Sequence, residues 1–171
     1  MAVNISTRNL LNPDFCKTVM QLLDLHDVKG EKLELEITES SFMEDMEISI
    51  KELTKLTKAS ILLSIDDFGT GYSSLQYLEK MPVSIIKIDQ NFFIRSLPAE
   101  SSSRQIVKAA IGLAHNLGIK VVAEGVENRD AYDFLMHAGC DLVQGYFVSR
   151  PVLASELEKT CKASKGRLVH V

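Results

Sequence analysis

The sequence predicts an α/β protein built from repeated strand–helix units, and three observations support that prediction. Short apolar runs rich in β-branched residues alternate with longer stretches whose apolar residues recur at helical spacing. Little low-complexity sequence and no clear linker interrupt them, so residues 1–171 suit a single domain. A polar side chain lies near the end of each apolar run, which is where parallel α/β folds bind ligands.

Six segments of the chain have the length and composition of strands. They are residues 2–6, 33–38, 61–66, 84–89, 120–125 and 142–147. Amphipathic stretches fill the gaps between them, which gives six predicted strand–helix units.

Three of the helices carry clear end signals. The first is predicted to begin with Asn12 as its N-cap and a proline at its first helical position. The second runs from about residue 103 to 117 and ends at Gly118. Its inward-facing residues are predicted to be Ile106, Ala110, Ile111, Leu113 and Ala114. The third begins after Asn128 and ends at Gly139.

Composition excludes several classes of function. A formal net charge of −4 and the lack of a Lys/Arg cluster argue against binding to DNA or RNA duplexes through a basic face. No apolar run approaches the ~18 residues of a membrane span, and the first residues lack the pattern of a signal peptide, so a cytoplasmic protein is expected. The three cysteines form no CxxC motif and the four histidines show no ligand spacing, which argues against a zinc site.

Each predicted strand delivers a polar group near its C-terminal end. These groups are Asn4, Glu36, Asp66 with Asp67, Lys87, Glu124 with Glu127 after it, and Gln144. One such residue would mean little, because Asp and Asn often cap the following helix. Six at one edge of a sheet favour a ligand site.

The adjacent carboxylates of Asp66 and Asp67 require compensation. Two like charges beside a buried strand repel each other and lose hydration, so a cation or hydrogen-bond donors must stabilise them. Glu36 alternates with apolar residues along its predicted strand. If that strand is half-exposed, Glu36 lies on a solvated acidic face; if the strand is interior, Glu36 faces a barrel or cleft where its carboxylate needs a cation. Lys87 lies between two isoleucines, which favours an ion-pairing or phosphate-facing role.

The oxygen-rich set of residues favours a hard divalent metal. Its members are Asn4, Glu36, Asp66, Asp67 and Glu124, with no thiolate or imidazole among them. Such ligands suit Mg²⁺ or Mn²⁺, and a two-ion site suits in-line attack on a phosphodiester. The alternative is a structural carboxylate network, for which Lys87 is the one basic residue at hand.

The segment "DFGTGYSS" follows the paired aspartates. Its two glycines and small hydroxyl residues fit either a gating loop or an ordinary turn, and it lacks the pattern of a Walker phosphate loop.

The ordered motifs "NIS", "ELEITES", "DDFGTGYSSL", "IIKID", "VVAEGVE" and "QGYFVSRP" closely resemble the EAL family of cyclic-di-GMP phosphodiesterases. The resemblance covers residues 4–151. It implies a TIM-like (β/α) barrel and metal-dependent hydrolysis of cyclic-di-GMP to the linear dinucleotide pGpG in bacterial signalling.

The resemblance also implies a role for each matched residue. The metal ligands would be Asn4, Glu36, Asp66 as a bridge, Asp67, and Glu124 on the second ion or its water. Lys87 would polarise the attacked phosphate or water, with Glu127 and Gln144 supporting the site and the substrate. Pro151 closes the last motif and is expected near the substrate. The loop would be anchored by Glu39 and would consist of Phe68, Gly69, Thr70, Gly71, Tyr72, Ser73 and Ser74.

The departures from the family pattern weaken the expected activity. The chain contains no Glu-Ala-Leu tripeptide, and six strands are predicted where a TIM barrel has eight. It therefore resembles an N-terminally truncated EAL domain with an incomplete barrel, followed by a C-terminal helix and tail over residues 152–171. Without the glutamate of that tripeptide, the first metal would lack one carboxylate ligand. This favours a slow enzyme or, as the alternative, an inactive module that binds cyclic-di-GMP or a protein. Uncovered strand edges favour a homodimer or larger assembly.

Overall fold

The computed structural model of the protein describes residues 1–44, 46–69, 78–91 and 103–163. Six strands alternate with helices in these ranges, which confirms the predicted α/β class. The chain divides into two compact units, residues 1–87 with 117–119 and the remainder, and each is described by itself. Within the described ranges, no helix is both long enough and apolar enough to span a bilayer.

The first unit contains four strands with helices between them. Its elements are β1 (Ala2–Ile5), α1 (Thr7–Leu10), α2 (Phe15–Leu25), a 3₁₀ turn (Gly30–Lys32), β2 (Glu34–Thr38), α3 (Glu39–Glu44), α4 (Met46–Lys58), β3 (Leu62–Phe68) and β4 (Ile85–Ile88). The strands β1, β2 and β3 are parallel neighbours in chain order, and β4 follows β3.

The core of the first unit lies against β2 and β3. Its fully buried side chains include Leu10, Ile37, Phe42, Leu53, Leu56, Leu63, Ile65 and Ile86. In β3 the consecutive residues Leu63, Ser64 and Ile65 are all fully buried, so both faces of that strand are covered. Continuous burial of this kind is typical of an interior parallel strand, and it leaves any polar side chain there without access to bulk water.

The predicted start of the first long helix is wrong by two residues. The Asn12 side chain accepts a hydrogen bond from the backbone N–H of Asp14 at 3.0 Å, so it closes a turn instead of capping a helix. The helix α2 then begins at Phe15, with Asp14 in the N-cap position.

The second unit contains α5 (Ser103–Asn116), β5 (Lys120–Ala123), α6 (Arg129–His137), β6 (Leu142–Val143) and α7 (Ala154–Ala163). The strands β5 and β6 are parallel neighbours. The end signals of two helices are confirmed: Asn128 caps α6 by accepting from the Ala131 N–H at 2.9 Å, and Gly118 follows α5 with φ of 73°. Gly139 follows α6 with φ of 87°, a conformation that glycine adopts without strain.

Two further predictions about the second unit are wrong. Ile106 is 59% exposed, because the buried stripe of α5 runs through Val107, Ile111 and Ala114. Consecutive residues of a helix point about 100° apart around its axis, so Ile106 lies off the stripe that contains Val107. The last strand ends at Val143, so Gln144 follows β6 instead of lying within it.

Both cysteine thiols that the structure describes are buried. Burial, with the Glu52 carboxylate beside the sulfur, raises the pKa of Cys16 to about 11. Burial likewise raises the pKa of Cys140 to about 11, so neither thiol is a reactive thiolate near neutral pH.

Asp141 links the start of β5 to the end of α5. Its Oδ2 atom accepts a hydrogen bond from the Val121 N–H at 2.8 Å and lies 2.8 Å from His115 Nε2. Partial burial raises the pKa of the Asp141 carboxyl, but these two contacts outweigh burial, and the pKa lies below its usual value.

We expect Asp141→Asn to lower the free energy of unfolding by about 1–2 kcal/mol at pH 7, because a charge-assisted hydrogen bond is lost. The folded pKa is depressed, so the contribution of Asp141 is fully present above the unfolded value of about 3.9 and is lost as the pH falls through the folded value. Urea unfolding of both proteins should therefore converge below about pH 4. A difference that persists unchanged at low pH would contradict this, and the exposed Asp24→Asn serves as the control.

Candidate functional site

The strand register of the first unit brings three of the predicted metal ligands to one region. Asn4 on β1 is paired with Glu36 on β2, and Glu36 is paired in turn with Ser64 on β3. Asp66 lies two residues beyond Ser64 and is paired with Thr38. Paired residues of parallel strands share a face, so Asn4, Glu36 and Asp66 lie on one face of the sheet.

Lys87 on β4 joins the two carboxylates of this face. Its Nζ atom lies 2.8 Å from Glu36 Oε1 and 3.6 Å from Asp66 Oδ1. Lys87 and Glu36 are only 7% and 8% exposed, so water screens their attraction poorly. Lys87 thus forms an ion pair, one of the two roles expected for it, and Glu36 lies buried beside a cation instead of on a solvated face.

The two adjacent aspartates have different surroundings. Asp66 is partly buried beside Lys87, whereas Asp67 is exposed. Asp67 has φ of 56°, a left-handed conformation that is uncommon for a residue other than glycine, and its N–H donates to Asp66 Oδ1 at 3.0 Å. Backbone strain of this kind is concentrated at functional sites, and it allows neighbouring carboxylates at the end of one strand to occupy different positions.

Glu39 holds the segment that follows the aspartates. It begins α3, is 3% exposed, and accepts a hydrogen bond from the Gly69 N–H on Oε2 at 3.1 Å. Its Oε1 atom is buried and has no hydrogen-bond partner among the described residues. Phe68 is buried at the end of β3. The remaining predicted loop residues, Thr70, Gly71, Tyr72, Ser73 and Ser74, lie outside the described residues.

Ser64 is a site residue that the sequence argument missed. It is fully buried, it is paired with Glu36, and its hydroxyl has no hydrogen-bond partner in the described part of the chain. A buried hydroxyl without a partner costs about 1–3 kcal/mol, so such a group needs an explanation. The available signal was its position two residues before Asp66 in an otherwise apolar strand.

The other predicted site residues lie in the second unit. Glu124 follows β5, is partly buried, and its N–H donates to the Ile88 carbonyl at 2.9 Å. Gln144 is exposed. Its backbone N–H donates to the Ala123 carbonyl at 2.8 Å, and its carbonyl accepts from the Val126 N–H at 3.0 Å. The remaining two, Glu127 and Pro151, are exposed.

Gly145, directly after Gln144, is required by its surroundings. A Cβ atom there would lie 2.2 Å from the backbone N and O atoms of Val126, which no side chain could tolerate. The close approach of the Val126 backbone, which leaves no room for a Cβ atom, therefore explains the glycine of the "QGYF" motif.

The oxygen donors of the first unit fit a hard divalent ion in chemistry. Glu36, Asp66 and Asn4 share a face, and the buried Glu36 already attracts a cation. No three His, Cys, Asp or Glu side chains converge on a single point in the described ranges, however. The two carboxylates that do converge, those of Glu36 and Asp66, converge on Lys87.

Comparison with known proteins identifies the family. The family model for the EAL domain matches residues 1–151. The chain belongs to the EAL family. It is 40% identical over 163 residues to the cyclic di-GMP phosphodiesterase NbdA of Pseudomonas aeruginosa, covering 95% of this chain but only 21% of NbdA.

Solved structures agree with this assignment and with the predicted incomplete TIM-like barrel. The PaMucR phosphodiesterase in complex with c-di-GMP superposes with a TM-score of 0.84 and 40% identity, over 91% of this chain and 69% of that one. BlrP1 of Klebsiella pneumoniae, solved with manganese and cyclic di-GMP, superposes with a TM-score of 0.80 and 32% identity. The match covers 88% of this chain and 38% of that one. Two of these relatives, NbdA and PaMucR, are thus named as phosphodiesterases, and the BlrP1 structure contains manganese together with cyclic di-GMP.

A double-mutant cycle on Lys87 and Glu36 tests the ion pair. We expect Lys87→Met to lower the free energy of unfolding by about 3 kcal/mol in metal-free buffer, because it leaves buried carboxylates without a cation. Glu36→Gln in the same protein should restore at least about 1 kcal/mol of this loss. Chemical denaturation of the parent, both single variants and the double variant gives the coupling. Strictly additive effects would show that the pair contributes nothing.

Proposed function

We propose that this chain is a phosphodiesterase domain that hydrolyses cyclic-di-GMP to pGpG with the help of Mg²⁺ or Mn²⁺. The observation that carries the proposal is the ion-pair cluster of the buried Glu36 and Lys87 with the partly buried Asp66, in a chain of the EAL family. The chain spans about a fifth of the length of curated relatives such as NbdA, so the activity of those whole proteins is not transferred to it.

The proposed metal-binding residues are Asn4, Glu36, Asp66, Asp67 and Glu124. When bound, divalent ions supply an activated water and neutralise the charge on the phosphodiester, and two ions are proposed for the complete domain. Asn4 and Glu36 are held in register by the β1–β2 pairing, which would present their oxygens together. The left-handed backbone at Asp67 would keep its carboxylate apart from that of Asp66.

Lys87, Glu124 and Glu127 are the proposed catalytic residues. The ammonium group of Lys87 would stabilise negative charge that builds on the phosphoryl oxygens or orient the attacking water. Glu124 and Glu127 would accept and hold protons from the water, a role open to carboxylates close to the substrate. Gln144 and Pro151 would contact the dinucleotide, and Glu39 would hold the loop that begins at Gly69, for which its hydrogen bond is the support.

A second candidate function is binding of cyclic-di-GMP or of a protein without turnover. The observation that favours it is that Lys87 already offsets part of the charge of Glu36 and Asp66, while the described residues contain no group of three metal-ligating acidic, His or Cys side chains. Hydrolysis and binding are separable by experiment.

A homodimer or larger assembly and a cytoplasmic location also stay predictions. Support for association comes from an apolar groove in the first unit, bordered by exposed hydrophobic side chains of β1, α2 and the following turn. These are Met1, Val3, Leu22 and Val28. Exposed patches of this kind are frequently covered by another chain.

We expect the chain to convert cyclic-di-GMP to pGpG slowly in Mn²⁺ buffer and Asp66→Asn to reduce the rate by about a hundredfold, because a metal ligand is lost. Chromatography of the nucleotides measures the reaction, and Asp141→Asn, outside the site, should keep the parent rate. Calorimetry with cyclic-di-GMP distinguishes the second candidate, for which binding occurs without product. Hydrolysis at the same rate in Asp66→Asn would remove this site from consideration.

A further inference from the structure

The Lys87 ammonium group contacts the carboxylates of Glu36 and Asp66, which are two of the residues that would hold a metal ion. It lies 2.8 Å from Glu36 and 3.6 Å from Asp66. Both partners of the shorter pair are more than nine-tenths buried. The negative charge of the site is therefore already balanced, in part, by a cation that belongs to the protein.

A divalent ion and this ammonium group cannot both contact the same carboxylates without penalty. A cation held by Glu36 and Asp66 would lie within a few ångströms of Lys87, and like charges repel strongly where water is scarce. Lysine is a point charge on a flexible four-carbon chain, so it can leave one partner and reach another by rotation about its own bonds.

Ser64 gives an independent indication that a ligand belongs in this layer. Its hydroxyl is fully buried, is paired in register with Glu36, and has no partner in the described part of the chain. Buried polar atoms of native proteins are almost always satisfied, by protein, water or a bound ion.

We propose that Lys87 is the resident counter-cation of the metal-free site, and that a divalent ion binds only by displacing its ammonium group from Glu36. The inference rests on the proposed function and adds a coupling to it. Metal binding releases Lys87 from the carboxylates, and only then is the ammonium group available to the phosphate. Lys87 thus holds the folded site together without metal and weakens its affinity for metal.

Calorimetric titration with Mn²⁺ alone tests the proposal without any activity measurement. We expect Lys87→Met, which keeps the volume of the side chain but removes its charge, to bind Mn²⁺ about tenfold more tightly than the parent. Lys87→Arg, which keeps the charge, should bind no more tightly than the parent. Lys55→Met is the matched control, because it removes another lysine–glutamate pair of the same unit, the 2.6 Å pair with Glu52, away from the site.

Thermal unfolding supplies a second readout on the same proteins. In Lys87→Met the metal-free midpoint should fall and the rise produced by Mn²⁺ should exceed that of the parent, whereas in Lys55→Met the rise should equal that of the parent. If Lys87→Met does not fold without metal, Lys87→Gln replaces it in both measurements.

The outcomes separate this inference from the proposed function. Mn²⁺ binding of equal or lower affinity in the neutral variants overturns the counter-cation role and leaves the proposed metal site intact. Mn²⁺ binding by the neutral Lys87 variants but not by the parent also supports displacement, because the ammonium group would then exclude the metal completely. Absence of Mn²⁺ binding from the parent and from every variant overturns both.

Discussion

The buried ion pair between Lys87 and Glu36 is the interaction on which the candidate site depends. Glu36 is placed by the alternation of β2, whose other face carries Leu35 and Ile37 into the core. A carboxylate in that position is tolerable only with a cation, and Lys87 delivers one from β4 at 2.8 Å. The charge of Glu36 is therefore compensated within the folded first unit.

The backbone around the paired aspartates completes the arrangement. Asp66 continues the face that carries Ser64, whereas the left-handed conformation of Asp67 gives the second carboxylate different surroundings. The buried carboxylate of Glu39 accepts a hydrogen bond from the N–H of Gly69, two residues after Asp67. Two neighbouring carboxylates at the end of one strand are in this way given separate environments, which a repelling pair requires.

The strands and the Lys87 pairing could be predicted from the sequence, because period-two alternation and the cost of a buried charge act locally. The ends of elements could not. The Asn12 side chain can either close a turn or cap a helix, and in the folded chain it closes a turn. Ile106 is apolar like its neighbour Val107, but Val107 is the one that lies on the buried stripe. Gly145 depends on a backbone contact with Val126, and Ser64 on its pairing with β2, both of which exist only in the folded chain.

The chain belongs to the EAL family, and under the proposed function the Lys87 ammonium group, which offsets part of the charge of Glu36 and Asp66, is exchanged for a divalent ion. The most direct measurement is a crystal structure of the chain grown with Mn²⁺, with the ion located by its anomalous scattering. The account predicts Mn²⁺ bonded to Glu36 and Asp66, with Lys87 Nζ moved away from Glu36 Oε1. An ion bound to these carboxylates while Lys87 keeps its 2.8 Å contact with Glu36 would contradict it.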